Sequence, residues 1–204
     1  KGEKTLEGLI NWFVSIGNRY YDAFITEGRY QTYLRGLLAT IEISFMAIII
    51  GILIGVTVAI LKVTANNYKK LRWIGVICNS YINIIRGTPV MLQLLIIYNL
   101  IFTARDTNEI LVAGLCFGIN SGAYVAEIVR AGIESIDKGQ TEAGRSLGFN
   151  ANQTMFYIIM PQAIKNILPA LGNEFIVLIK ETSVASIIAV VDLLQAAQFV
   201  GSRT

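Results

Sequence analysis

Thr141-Glu142-Ala143-Gly144-Arg145-Ser146-Leu147-Gly148-Phe149, continued by Met160-Pro161-Gln162-Ala163 and Ile167-Leu168-Pro169, is the most informative stretch of this 204-residue chain. It reads as a short helix: Ala143 and Gly144 are small enough to let a partner's backbone come close, and Glu142 and Arg145 share a face at i, i+3. Gly148 is placed to terminate it. The expectation is a docking knob set between two apolar stretches.

Outward from that knob the chain is apolar. Hydrophobic residues make up 54% of it and charged residues 15%, with a mean hydropathy of +0.57, which exceeds an ordinary soluble composition and implies an integral membrane protein. Residues 36–61 carry one charge, Glu42, and at about 1.5 Å per residue they cross a hydrocarbon core of roughly 30 Å. A second apolar stretch, 73–104, is too long for one straight crossing and is interrupted by Arg86-Gly87-Thr88-Pro89. Proline removes a backbone donor and glycine adds freedom, so a broken or bent helix is expected there, either as a binding element or as a packing kink. The third span, 110–130, stays uncharged as far as Ala126 and ends with Glu127 and Arg130. The fourth, 164–191, contains Lys165, Pro169, Glu174, Lys180 and Glu181, a pattern that belongs against protein or a wet cavity rather than lipid. Residues 1–33 mix aromatics with scattered charges, as an extracytoplasmic interfacial segment would, ahead of a membrane domain over 34–204.

Loop charges orient the spans. Lys62, Lys69, Lys70 and Arg72 follow the first span with no acid, whereas Arg105 stands beside Asp106 and Glu109 after the second. The positive-inside rule then puts the first loop and the region 132–160 in the cytoplasm and the N-terminus outside. Other chemistry is excluded by what is missing. With no histidine and with Cys78 and Cys116 inside apolar runs, zinc sites, histidine triads and disulfide scaffolds are poor readings, and no metal site is expected. The net charge of +3 is not gathered into a nucleic-acid-like patch, and no Gly-x-x-x-x-Gly-Lys-Ser/Thr sequence exists to cradle ATP.

The 141–169 pattern resembles the EAA motif of ABC importer permeases, with Gly144 where the family has a second alanine, a change that softens a helix by about 1 kcal/mol. Three further segments narrow the resemblance to the polar amino-acid branch: Arg86-Gly87-Thr88-Pro89 with Gln93, Ala123-Tyr124-Val125-Ala126-Glu127-Ile128-Val129-Arg130, and Gly172-Asn173-Glu174-Phe175 leading to Leu178-Ile179-Lys180-Glu181-Thr182-Ser183. Together they cover roughly residues 32–195. The resemblance implies an all-α type I permease with a five-helix core, the last helix expected beyond Thr204. It also implies a second permease chain, identical or similar, an ATPase subunit dimer that binds ATP and Mg, and an extracytoplasmic solute-binding protein. No cofactor is expected in this chain. Glu142, Ala143, Gly144, Arg145 and Gly148 would couple to the ATPase, and Gln93, Glu127, Asn173, Glu174 and Glu181 are candidates for the substrate path.

Those acids have competing uses. Glu174 and Glu181 are seven residues apart, nearly on one helical face. They would favour a cationic amino acid, or else be neutralised by Lys180 or Arg130 in a dimer interface. Glu127 and Arg130 are equally readable as a helix-end ion pair. A passive channel or secondary transporter remains the alternative of a different class; a channel needs no cytoplasmic knob, and repeated halves, common in secondary transporters, are not visible.

Overall fold

A computed structural model describes residues 2–67, 69–102 and 107–202, and no strand occurs among them. Arg105, Asp106 and the end of the expected second span at 104 lie outside the described residues. Helix α1 (Gly2–Phe24) is followed by a turn in which Glu27 and Gly28 take φ of 55° and 67°. The Arg29 guanidinium donates to the Asp22 carbonyl at 3.0 Å, satisfying the open end of α1. Helix α2 begins at once and runs Tyr30–Asn67, so the expected boundary between 33 and 34 is corrected: it falls inside a helix, and the joint lies at 25–29.

The second span is two helices, α3 (Arg72–Gly87) and α4 (Val90–Ile96), the latter running on as a π turn to Ile101; their axes meet at 105°. Proline and glycine permit this elbow, and a side chain holds it. Gln93 Nε2 donates to the Ile85 carbonyl (2.8 Å), the Thr88 carbonyl (3.1 Å) and Thr88 Oγ1 (2.7 Å), while Asn120 Nδ2 donates to Gln93 Oε1 at 3.1 Å. One carboxamide thus satisfies the carbonyls that Pro89 and the bend leave without helical donors. Gln93→Leu removes those donors at nearly constant volume and is expected to cost about 1–3 kcal/mol. The check is the thermal unfolding midpoint of the purified protein, and an unchanged midpoint would show that the bend does not depend on this clasp.

Helix α5 (Glu109–Glu134) packs along α2. Met46 meets Gly114, Ile50 meets Gly118 and Val125 meets Gly55, so contacts advance in the same sense and the two helices are parallel. The seam is tight because glycines alternate across it: a Cβ on Gly55 would lie 2.6 Å from Val125 Cβ, and one on Gly118 would lie 2.7 Å from Ile50 Cβ. Around the seam, Ile43, Ala47, Leu94, Cys116, Phe117 and Leu178 are buried together. Cys78 and Cys116 are both free and buried, as packing residues.

After α5 come α6 (Lys138–Ser146), α7 (Ala151–Thr154), a π turn over 155–159 and α8 (Met160–Glu181). Helix α8 returns antiparallel to α5, with Ile167 against Gly132 and Glu174 against Ser121. The expected fourth span to 191 is corrected, since the α-helix ends at Glu181. Thr182, Ser183 and Ser186 hydroxyls donate to the carbonyls of Ile179, Lys180 and Ser183, three residues back. Such local bonds tighten the chain into the 3-10 turn Thr182–Ile188, and Ala189 (φ 66°) reverses it. Buried Asp192 then caps α9 (Leu193–Gly201) by accepting from the Gln195 N–H at 2.8 Å, and α9 packs on Gly36 near the start of α2.

Candidate functional site

The motif of residues 141–149 forms the core of a compact protrusion at the end of the bundle that also carries the basic loop after α2. Asp137 starts α6 by accepting from the Gly139 N–H at 2.7 Å. Gly148, at φ 85°, ends it: its N–H donates to the Arg145 carbonyl (3.0 Å) and the Phe149 N–H to the Gly144 carbonyl (3.1 Å), a Schellman closure that requires the left-handed region glycine occupies freely. A capping box between Asn150 and Gln153 starts the next turn.

Gly144 has a different use from the expected one. It is buried, and a Cβ there would lie 2.7 Å from Thr154 Cγ2 and 3.0 Å from Ile158 Cδ1, so the missing side chain is filled from within the chain. Glu142, Ala143, Arg145 and Gly148 are exposed, and no ion pair joins Glu142 to Arg145 among the described residues. Beside them stand apolar side chains that the sequence reading passed over: Leu147 (73% exposed), Phe149, and Tyr157, whose ring lies 6.3 Å from that of Phe149. Their signal was present, since bulky apolar residues inside a polar loop have no core to enter. The protrusion is tied to α8, because Gln162 Nε2 donates to Gln140 Oε1 at 3.2 Å.

A second polar group lies among α2, α3 and α5. The Glu127 carboxylate accepts from Arg130 Nη2 at 2.7 Å and from Lys62 Nζ at 3.5 Å, and Arg86 Nη1 stands 3.9 Å away. Arg130 also pairs with Glu134. The helix-end pair of the sequence reading is therefore present and is enlarged by two cations from other helices, Lys62 and Arg86. These surround a cleft of about 440 Å³.

The α8 candidates divide. Glu174 is 8% exposed and turned inward, its Oε1 accepting from Ser121 Oγ at 2.8 Å; Glu181 is half-buried, and Asn173 and Lys180 are exposed. Gln93 is committed to the elbow. Neither Lys180 nor Arg130 forms an ion pair with Glu174 or Glu181 among the described residues.

Residues 47–201 match the family model for the binding-protein-dependent transport system inner membrane component. The chain belongs to that family. It is a membrane component of a transport system and not an enzyme. This permease is 42% identical over 176 residues to the putative glutamine transport system permease protein GlnP of Rickettsia prowazekii (strain Madrid E), covering 84% of this chain and 77% of that one. It is 36% identical over 173 residues to the arginine transport system permease protein ArtQ of Bacillus subtilis (strain 168), with the same coverages of 84% and 77%. Among solved structures it matches a chain of an amino acid ABC transporter with histidines at TM-score 0.79 and 44% identity, over 88% of this chain and 82% of that one. The all-helical type I permease architecture is therefore that of this chain.

Proposed function

We propose that this permease carries a polar amino acid inward across the cytoplasmic membrane by alternating access, driven by an ATPase subunit dimer and supplied by an extracytoplasmic solute-binding protein. A second permease chain completes the pathway. The observation that carries the reading is the protrusion 138–157, which leaves Ala143, Leu147 and Phe149 exposed at its surface. It is also bonded to the base of α8, so a load on α6 is transmitted to a bundle helix. A passive pore needs neither feature. The N-terminus lies outside in this reading, because Lys62, Lys70 and Arg72 share one end of the bundle with the protrusion. ATP and Mg are bound by the ATPase and not by this chain.

The experiment is uptake of L-glutamine and L-arginine into proteoliposomes holding permease, ATPase and binding protein. Uptake that requires ATP and the binding protein is expected. Uptake down a gradient by the permease alone would favour the channel reading.

The substrate path runs along the open face of α8, where Asn173 is exposed and Glu181 half-exposed. Glu174 acts from behind that face, contributing charge rather than contact, since Ser121 already holds its carboxylate. Glu174→Gln keeps an acceptor for Ser121 and removes the acid. It is expected to lower L-arginine uptake at least about tenfold (about 1.4 kcal/mol) more than L-glutamine uptake. Equal effects on the two substrates would confine Glu174 to packing.

A further inference from the structure

We propose that the cleft between α2, α3 and α5 receives the carboxylate end of the transported amino acid at the cytoplasmic side of the permease, with Arg86 as its principal contact. The inference rests on the amino-acid transport reading and adds which end of the solute is held, and where.

Three cations, Lys62, Arg86 and Arg130, face two carboxylates, Glu127 and Glu134, around this cleft, leaving one positive charge in excess. Arg130 chelates Glu127 through Nε and Nη2, at 3.1 and 2.7 Å, and Lys62 adds a longer bond. Arg86 is left at 3.9 Å, beyond hydrogen-bond reach. Its guanidinium lies 5.1 Å over the Tyr124 ring, which fixes its plane without using its N–H groups. Neither Arg86 nor the carboxamides of Asn79 and Asn83, which line the same cleft, hydrogen-bonds to a protein group among the described residues. A planar fork of free donors beside two amides matches a carboxylate.

The helix pattern says which medium the cleft faces. On α3, Asn79, Asn83 and Arg86 recur at i, i+4 and i+7, while Trp73, Ile77 and Ile84 are exposed on other faces and suit lipid. The cleft therefore opens away from the lipid-compatible face of α3, which argues for a water-borne ligand over a lipid headgroup. Its volume of about 440 Å³ lies within the range of small-molecule sites, about 300–1,000 Å³. Glu127 and Glu134 beside the cations leave acceptors for an α-ammonium group, so a zwitterion fits better than a simple anion.

The test uses the permease–ATPase complex in nanodiscs without binding protein, reading equilibrium binding of radiolabelled L-arginine and L-glutamine. The competitors are agmatine, which is L-arginine without its carboxylate, and inorganic phosphate. Agmatine is expected to compete at least tenfold more weakly than L-arginine. Arg86→Gln is expected to weaken both amino acids at least tenfold and to erase the preference over agmatine. Asn83→Leu, which leaves every ion pair intact, is expected to weaken both about threefold, so the proposal stays testable if the arginine variant fails to assemble. Unchanged preference in both variants would overturn it, as would phosphate competing as well as L-arginine. ATP-driven uptake measured on the same preparation separates the two claims. Wild-type uptake with an unaltered carboxylate preference removes the cleft assignment alone, whereas absence of any amino-acid uptake removes the transport reading on which it rests.

Discussion

Ala143→Trp is expected to reduce ATP-driven uptake at least tenfold while the permease still inserts in the membrane at normal levels. Ala143 is exposed on α6, so an indole there costs the protomer little. It would, however, stand out from the surface beside Leu147 and Phe149, where the proposed coupling requires the ATPase to come close. A change of about 1.4 kcal/mol in a docking step is already tenfold in occupancy. Gly144→Trp is the instructive comparison. Its side chain would enter the space held by Thr154 and Ile158, so it should unfold the protrusion and lower the thermal midpoint as well as the uptake. Wild-type uptake by the Ala143 variant, with its ATPase present, would remove α6 from the coupling surface.

The contrast between these adjacent residues shows what the sequence can and cannot convey. The knob, its terminating glycine and the elbow at Arg86 to Pro89 were legible because each rests on local chemistry: a left-handed position, a missing donor, a change from apolar to polar. The inward turn of Gly144 was not, because Thr154 and Ile158 close over it only once α7 and its π turn have formed. The end of α8 was hidden for a related reason. Thr182 and Ser183 are tolerated inside helices, and only their choice of carbonyl three residues back converts the last turn into a 3-10 segment. The Glu127 group needed still more, since Lys62 and Arg86 stand 65 and 41 residues away along the chain and meet it only through the packing of three helices. A hint existed in retrospect: each of the three is a charge at the end of an apolar run, where a long side chain must find a polar neighbour. Glu174 had no such hint. Its partner, Ser121, is one of several small residues along α5, and which of them faces α8 depends on the α2–α5 seam.

That seam sets the largest expected effect on stability. Gly55→Leu should leave no functional permease: at least a tenfold loss of membrane-inserted, detergent-stable protein, and uptake lost in proportion. The Cβ alone would lie 2.6 Å from Val125 Cβ and 2.8 Å from the Gly122 carbonyl oxygen. Both atoms belong to or adjoin the α5 backbone, so no side-chain rotation relieves the clash, and α5 must move outward. Overpacking of this kind costs about 1–3 kcal/mol even where neighbours yield, and the remaining Leu atoms enlarge the cost. Displacing α5 also shifts Ser121 from Glu174 and Glu127 from Lys62, so the polar groups on either side of the seam fail with it. Small residues are what allow two membrane helices to approach this closely, where van der Waals contact replaces the hydrophobic drive available in water. Gly17→Leu is the matched control, because nothing lies within 4 Å of a Cβ at that position in α1. Its yield and thermal midpoint should equal those of the parent. If Gly55→Leu were recovered at parental yield with a parental midpoint, the close α2–α5 contact would not exist in the membrane. The parallel seam, and the placement of both polar groups that depends on it, would then be wrong.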